Sequence, residues 1–473
     1  QDRSVPKFQS RVGVLATMRS LLGQRSRFLW LGCLALAAWQ PKLFAVLTRG
    51  PGVGRQEEVT PSARLTPRIT VEPAPALLDI LNDELERLSG SNLAALLRRL
   101  AKFQQKRLDS SLVAKLCAIL PRATKAVQKS TMSPRELCTS FWACAHLADV
   151  APEALNLAKV VGRKIPDQVA SLEHQGLSQC FWAAAHLQST SKKASPSLQK
   201  VLRKVAAAVA TVLPERAAEL KPQELSNCLW SMARLQGSMP ELLEALPALA
   251  DRLPEKVHEM MPQHLSNCLW ATAQLRGSER ALKNVEPLAK AIRSEAKRLK
   301  PQELATCLCA SAHLKDVAPE VLQLVPAVAY SVEECELKPR ELSNCLWASA
   351  HLVHEAPSVL SMAGALAGQI PESAPRMTSQ EVSNYLLAVA LHDGEDGGLA
   401  KIGDQTLLAG VERLKKLLPK LTKQQLFIHA PTVLWACARA GHRDVDLLTL
   451  LAKKYQNLAK RLPTWSLLSM AWS

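Results

Sequence analysis

The sequence predicts an all-α chain folded as an α-solenoid, a superhelix of helix–turn–helix repeats with a period of about 38–40 residues. Three observations predict it. One sentence of residues recurs: PQELSNCLWSMARL at Pro222–Leu235, PQHLSNCLWATAQL at 262–275, PQELATCLCASAHL at Pro301–Leu314 and PRELSNCLWASAHL at Pro339–Leu352. Related copies read PRELCTSFWACAHL at Pro134–Leu147 and HQGLSQCFWAAAHL at 174–187. The spacing is nearly constant. Anchored on the Trp column (Arg98, Trp142, Trp182, Trp230, Trp270, Cys309, Trp347, Leu387, Trp435), the steps are 44, 40, 48, 40, 39, 38, 40 and 48 residues. The composition also suits helices packed on small side chains: aromatics are only 4%, Ala and Leu abound, and long β-branched runs are missing.

Taken in order, the chain divides at residue 76 into a leader with a linker (1–76) and a solenoid of about nine to ten hairpins (77–473), the last incomplete. Arg19, Arg25 and Arg27 precede a short apolar run, 28–39, which has the form of a signal peptide and is too short to span a bilayer comfortably. Residues 48–76 are rich in Pro, Thr, Ser and Arg and are expected to be a disordered, transit-like linker. Signal-like and transit-like segments in series predict delivery to an organelle, a plastid or alternatively a mitochondrion, and no stable membrane span in the mature protein.

The first helix pair is expected at 77–88 and 92–103, the second member echoing the repeated sentence without its Trp. In later units the first helix is variable, as at 240–253 and 319–332, and the second is the repeated sentence. Its proline occupies the first turn, where the missing N–H is no loss. Glu136, Glu224, Glu303, Glu341 and Glu381 sit near the positive end of the helix dipole, and Ser133 completes a capping box. Gly237 and Gly277 are expected to cap helix ends. The insertion HDGEDGG, 392–398, reads as a loop, and 463–473 as a further copy that stops partway through its second helix.

With the Trp column as position 0 and about 100° per residue, positions −5, −2, −1, +3 and +5 (Leu, Cys, Leu/Phe, Ala, Leu) form the apolar face. Opposite lie two polar columns. Position −3 holds Thr139, Gln179, Asn227, Asn267, Thr306, Asn344, Asn384 and Thr432. Position +4 holds His146, His186, Arg234, Gln274, His313, His351 and Arg439. Between them, position +1 is always small and reads as a gap on the outward face. Such a set, one per helical unit, can hydrogen-bond or stack on the bases of a single strand. Two other readings stay open: a structural Asn/Thr ladder between repeats, and a merely solvated His column. The Trp rings are expected to pack between adjacent repeats with their edges reaching a ligand.

The formal charge of +17 points to polyanionic partners. The first 76 residues carry eleven Lys/Arg against four Asp/Glu, which leaves +10 for the repeats. Of the twelve cysteines, Cys180, Cys228, Cys268, Cys307 and Cys345 share one column. Neighbouring repeats lie about 10 Å apart, too far for a disulfide or a shared metal, so these are packing residues in a reducing compartment. No phosphate-loop, His-Glu-x-x-His or Cys-x-x-Cys pattern occurs, so no catalytic residue, metal site or cofactor is expected.

The core P-x-E-L-S/T-N-x-L-W-x-x-A, at this period, resembles the octotricopeptide repeat family over residues 77–473, and is similar to heptatricopeptide-type and FAST-kinase-like leucine-rich proteins. The resemblance implies a non-enzymatic protein that binds single-stranded organellar RNA, mRNA or rRNA. It acts in RNA processing, stability, translation or ribosomal RNA assembly, beside ribosomal or RNA-processing proteins. It also selects the −3 and +4 columns as the RNA-contacting face. Such proteins often end in a RAP domain, for which the incomplete last copy leaves room downstream. A protein-binding scaffold of the armadillo/HEAT type is the alternative.

Overall fold

The computed structural model describes residues 61–104, 108–190, 195–392 and 403–456. The leader, the acidic insertion after His392 and the final partial copy lie outside them. Among the described residues the chain is helical with no strand.

Second helices follow the repeated sentence: Gly90–Gln104, Pro134–Leu147, His174–Thr190, Pro222–Leu235, Pro262–Gln274, Pro301–Leu314, Pro339–Leu352, Ser379–His392 and Lys423–Arg439. Each packs against the next, so they form one continuous layer. The connecting helices form the other layer. Ser110–Lys129 packs chiefly on the next connecting helix, Ala154–Lys164, whereas several others, such as Ala154–Lys164 and Pro196–Arg216, pack chiefly on the second helix that precedes them in the chain. The joint explains this. After Leu235 the chain folds back at once, with the N–H groups of Ser238 and Met239 both donating to the Leu235 carbonyl at 2.9 Å.

The helix starts behave as the sequence implies. Ser133 N donates to Glu136 Oε2 at 2.8 Å and Glu136 N to Ser133 Oγ at 3.4 Å, a complete capping box. At Glu224, Glu303 and Glu341 the glutamate half alone persists, each accepting from the backbone N–H three residues upstream at 2.9 Å, whereas Thr378 and Glu381 form the complete box again at 2.7 and 3.4 Å. An otherwise orphaned first-turn donor is thereby satisfied in five repeats.

Four expectations are corrected. The helical body begins at Pro61 rather than at 77: helix Pro61–Val71 packs on Gly90–Gln104 and buries Leu65 and Ile69, so this end of the linker is ordered by an apolar pair. The connecting segment 240–253 is not one helix. It divides into a 3₁₀ turn Pro240–Ala245 and short helices Leu246–Ala250 and Leu253–Lys256, because Pro247 and Pro254 lack the N–H a continuous helix needs. Gly237 and Gly277 do not adopt the left-handed cap; among the described residues only Gly441 has a positive φ, of 64°. His392 is no loop residue: it ends helix Ser379–His392, is buried, and lies 3.0 Å from Ser349 Oγ.

The core runs the length of the described solenoid. The cysteine column is fully buried and its members are free thiols. Burial pushes the Cys268 thiol up to about 12, so it behaves as a small apolar group.

Candidate functional site

Second helices are enclosed on three sides, by the neighbour before, the neighbour after and the connecting helix. The consequence is specific. In the seven repeats from Trp142 to Leu387, every position from −5 to +5 is buried except −3, 0 and +4. Position +1 is therefore not an outward gap. Ala143, Ala183, Ser231, Ala271, Ala310, Ala348 and Ala388 are at most 1% exposed. The small side chain lets adjacent second helices approach closely, and the open face narrows to a stripe.

Positions 0 and +4 build a ladder along that stripe. The His146 ring lies 4.3 Å from Trp142 and stacks at 4.7 Å on Trp182. Trp182 in turn stacks on His186 at 4.8 Å and on Trp230 at 6.3 Å, and Trp230 lies 6.1 Å from Trp270. The Arg234 guanidinium sits over Trp230 and Trp270, 5.6 and 5.9 Å from their centroids. His146 and Arg234 each bridge their own ring and the next, while His186 stacks on its own ring, Trp182. The sequence break at Cys309 interrupts the series. Beyond it His313 and His351 flank Trp347 at 5.1 and 4.1 Å, Leu387 and Leu391 interrupt again, and Arg439 covers Trp435 at 5.8 Å.

Six of the seven +4 side chains thus lie against a ring, although Arg234, Gln274, His313 and Arg439 are exposed to solvent. His146 meets Trp142 edge-on and gives one face to Trp182. Burial, aided by the charge of His186, pushes its pKa down to about 4, so it is neutral near pH 7. His313 is shifted down as well, first by burial and then by Arg276. Two more members have edge partners: His351 Nδ1 meets the Trp347 carbonyl at 2.8 Å, and Arg439 Nε donates to the Ala390 carbonyl at 2.7 Å. His186 Nε2 lies 3.2 Å from Asp149. Gln274 is exposed.

The −3 column behaves differently. All eight members are half-buried. Thr306 and Thr432 donate their hydroxyls to carbonyls four residues back, at 2.7 and 3.2 Å. The side-chain amides of Gln179, Asn227, Asn267, Asn344 and Asn384, by contrast, meet no partner among the described residues. A structural ladder between repeats would show amide-to-amide or amide-to-backbone bonds, and there are none on these side chains. Their donors and acceptors face the stripe with only solvent to satisfy them.

A further column was not anticipated. Position −7 is exposed in every one of these repeats and holds Arg135, Gln175, Gln223, Gln263, Gln302, Arg340 and Gln380. It is one more step along the same stripe, because −7, −3, 0 and +4 follow the i, i+4, i+7, i+11 spacing of one helix face. The signal is present in the sequence as the second residue of the repeated sentence in each of these repeats, always Gln or Arg, whether or not the flanking Pro and Glu are kept. Three cavities of about 550, 200 and 250 Å³ follow the stripe at its N-terminal end and share Arg98 and Thr139. The last of them brings Arg98 and Lys102 together with Thr139, Gln179 and Asn227 across four successive second helices. Thr432 and Arg439 sit at the other end of the stripe and share no cavity with these.

Arg98, Lys102, Arg135, Arg234 and Arg340 have no acidic partner within salt-bridge distance among the described residues. Arg234 is shifted down, first by its burial between the rings and then by the positive charge of Arg340 from the third repeat on. Like charges held near one another without a counter-ion favour an anionic ligand.

No protein-family model and no curated protein matches this chain. The site is read from its own geometry. Among the described residues no helix is long and apolar enough to cross a membrane.

Proposed function

We propose that the stripe binds single-stranded RNA, with the −3 and −7 side chains reading base edges and the flanking cations holding phosphates. The observation that carries this reading is the column of five half-buried amides with no partner inside the protein. These amides bond to solvent and to nothing inside the protein, and five in register along one groove amount to an arrangement the fold does not itself use. Asn and Gln offer both donor and acceptor, which is what discrimination among bases needs. The ring ladder supplies a stiff apolar floor beneath them. Within the run Trp142–Trp230 the rings stack on one another and on the +4 residues, so bases lie across ring edges there and these +4 residues serve the floor rather than the reading.

The leader sequence and the resemblance to octotricopeptide repeats favour a role in an organelle, a plastid before a mitochondrion, in RNA processing, stability, translation or ribosomal RNA assembly. The test is equilibrium binding of single-stranded RNA by the purified chain over a salt series. If about four groove cations contact phosphates, log K falls with log salt at a slope near −3. A salt-independent affinity, or retention of an acidic protein partner but no RNA after nuclease treatment, would favour the scaffold alternative instead.

A further inference from the structure

The N-terminal end of the stripe differs from the rest. Helix Gly90–Gln104 carries Arg98 where later repeats carry the ring, so the ladder stops at Trp142. Beyond it lies the cavity of about 550 Å³, lined by Arg98, Arg99, Lys102, Arg135 and Thr139 on the near sides. Ile69 and Thr70 line it from helix Pro61–Val71, which packs on Gly90–Gln104 and walls off the far side. Arg99 is built into that wall: its guanidinium donates to the carbonyls of Thr70 and, at 2.8 Å, Glu72. Arg98, Lys102 and Arg135 remain without a carboxylate partner. The one acid lining the cavity, Glu136, has a carboxylate oxygen held at 2.8 Å by the Ser133 N–H. The two smaller cavities continue from Arg98 and Thr139 toward Gln223 and Asn227. A groove of amides therefore leads into a cationic chamber and meets a wall.

We infer that this chamber holds the terminal phosphomonoester of the bound strand. The inference rests on the RNA reading above and adds an end-specific subsite to it. Two features separate a chain end from a passing backbone. An internal phosphodiester carries a single negative charge, whereas a terminal monoester carries about −1.5 to −2 at pH 7 and three acceptor oxygens. Three unpartnered cations, two of them guanidiniums able to bind in a bidentate fork, match the greater charge. Helix Pro61–Val71 also bounds the chamber on one side through Ile69 and Thr70, a placement that suits a chain end. The nucleotide next to the phosphate then lies against Trp142, and the following ones run along Gln179, Asn227 and Asn267.

The test uses the full chain and one single-stranded RNA sequence in three forms: 5′-phosphorylated, 3′-phosphorylated, and hydroxyl at both ends. Fluorescence anisotropy is expected to show one phosphorylated form binding about tenfold more tightly than the hydroxyl form, a gain in keeping with two or three charge-assisted contacts. Which form gains reports the polarity of the strand. In the variant Arg98→Gln/Lys102→Gln/Arg135→Gln the three forms should bind alike, while Arg98→Lys/Arg135→Lys retains part of the preference. Circular dichroism checks that both variants keep their helices. Equal binding of all three forms by the wild-type chain overturns the subsite and leaves the RNA reading in place. A preference that survives in the triple Gln variant also overturns it. Absence of binding to any form overturns the RNA reading itself.

Discussion

The repeats from Trp142 to Trp270 and those from Cys309 to Trp435 are written in the same sentence, yet they make different surfaces. In the first group every repeat supplies a ring at position 0, and in three of them His146, His186 or Arg234 fills the slot at +4, so the ladder is unbroken. In the second, Cys309 and Leu387 remove rings, Thr306 and Thr432 turn their hydroxyls back on their own helices, and Arg439 is tied to a backbone carbonyl. The difference teaches that the repeated motif secures the packed side of each helix everywhere, while a continuous ring ladder forms only where ring and partner occur in consecutive repeats. The unpaired cations Arg98, Lys102 and Arg135 also gather at the N-terminal end. Affinity for an anionic strand should accordingly concentrate there.

Ring removal should separate the two groups most strongly. Trp182 touches His146, His186 and Trp230, three aromatic contacts worth roughly 0.5–1.5 kcal/mol each. Trp182→Ala is expected to lower stability by roughly 3 kcal/mol in urea denaturation. Trp347, with two His contacts and interruptions on both sides, should lose roughly two thirds as much when changed to Ala, about 2 kcal/mol. Equal losses would show that the ladder is not a cooperative unit.

A smaller effect concerns pH. His146 titrates near 4 in the folded state because of its burial, against about 6.5 when unfolded. The native state thus binds fewer protons in this window, so the His146 contribution is complete above pH 6.5 and is lost as pH falls toward 4. Melting temperatures measured across that window should decline, and His146→Phe should flatten part of the decline. If the variant titrates like the wild type, the enclosed His146 is not the group responsible.

Much of this was legible in the residues. A fixed period revealed the solenoid, and the wheel of one helix placed Leu225, Cys228, Leu229, Ala233 and Leu235 in the core, where they are. What escaped was a matter of neighbours. A wheel assigns one buried face to a helix, but these helices have three, which is why the small residue at +1 looked like a gap and Ser231 and Ala271 are in fact sealed contacts. Gln223 and Gln302 escape notice because they stand between proline and glutamate in a segment that reads as a cap. That His146 is enclosed by rings of two different repeats depends on the superhelical step, which no single repeat encodes. Whether Asn227 bonds to a neighbour or faces a groove is likewise settled only by coordinates, and no hydrogen bond reaches its amide.

The central claim is that the unpaired amides exist for a ligand and not for the fold. The most direct measurement is the triple variant Gln179→Ala/Asn227→Ala/Asn267→Ala, followed for both melting temperature and affinity for single-stranded RNA. With no internal bonds to lose, the variant should melt within a few degrees of the wild type while its RNA affinity falls about tenfold or more, an effect of roughly 1.4 kcal/mol spread over three base contacts. An unchanged affinity, or a melting temperature that drops as though structural bonds had been broken, would contradict the account.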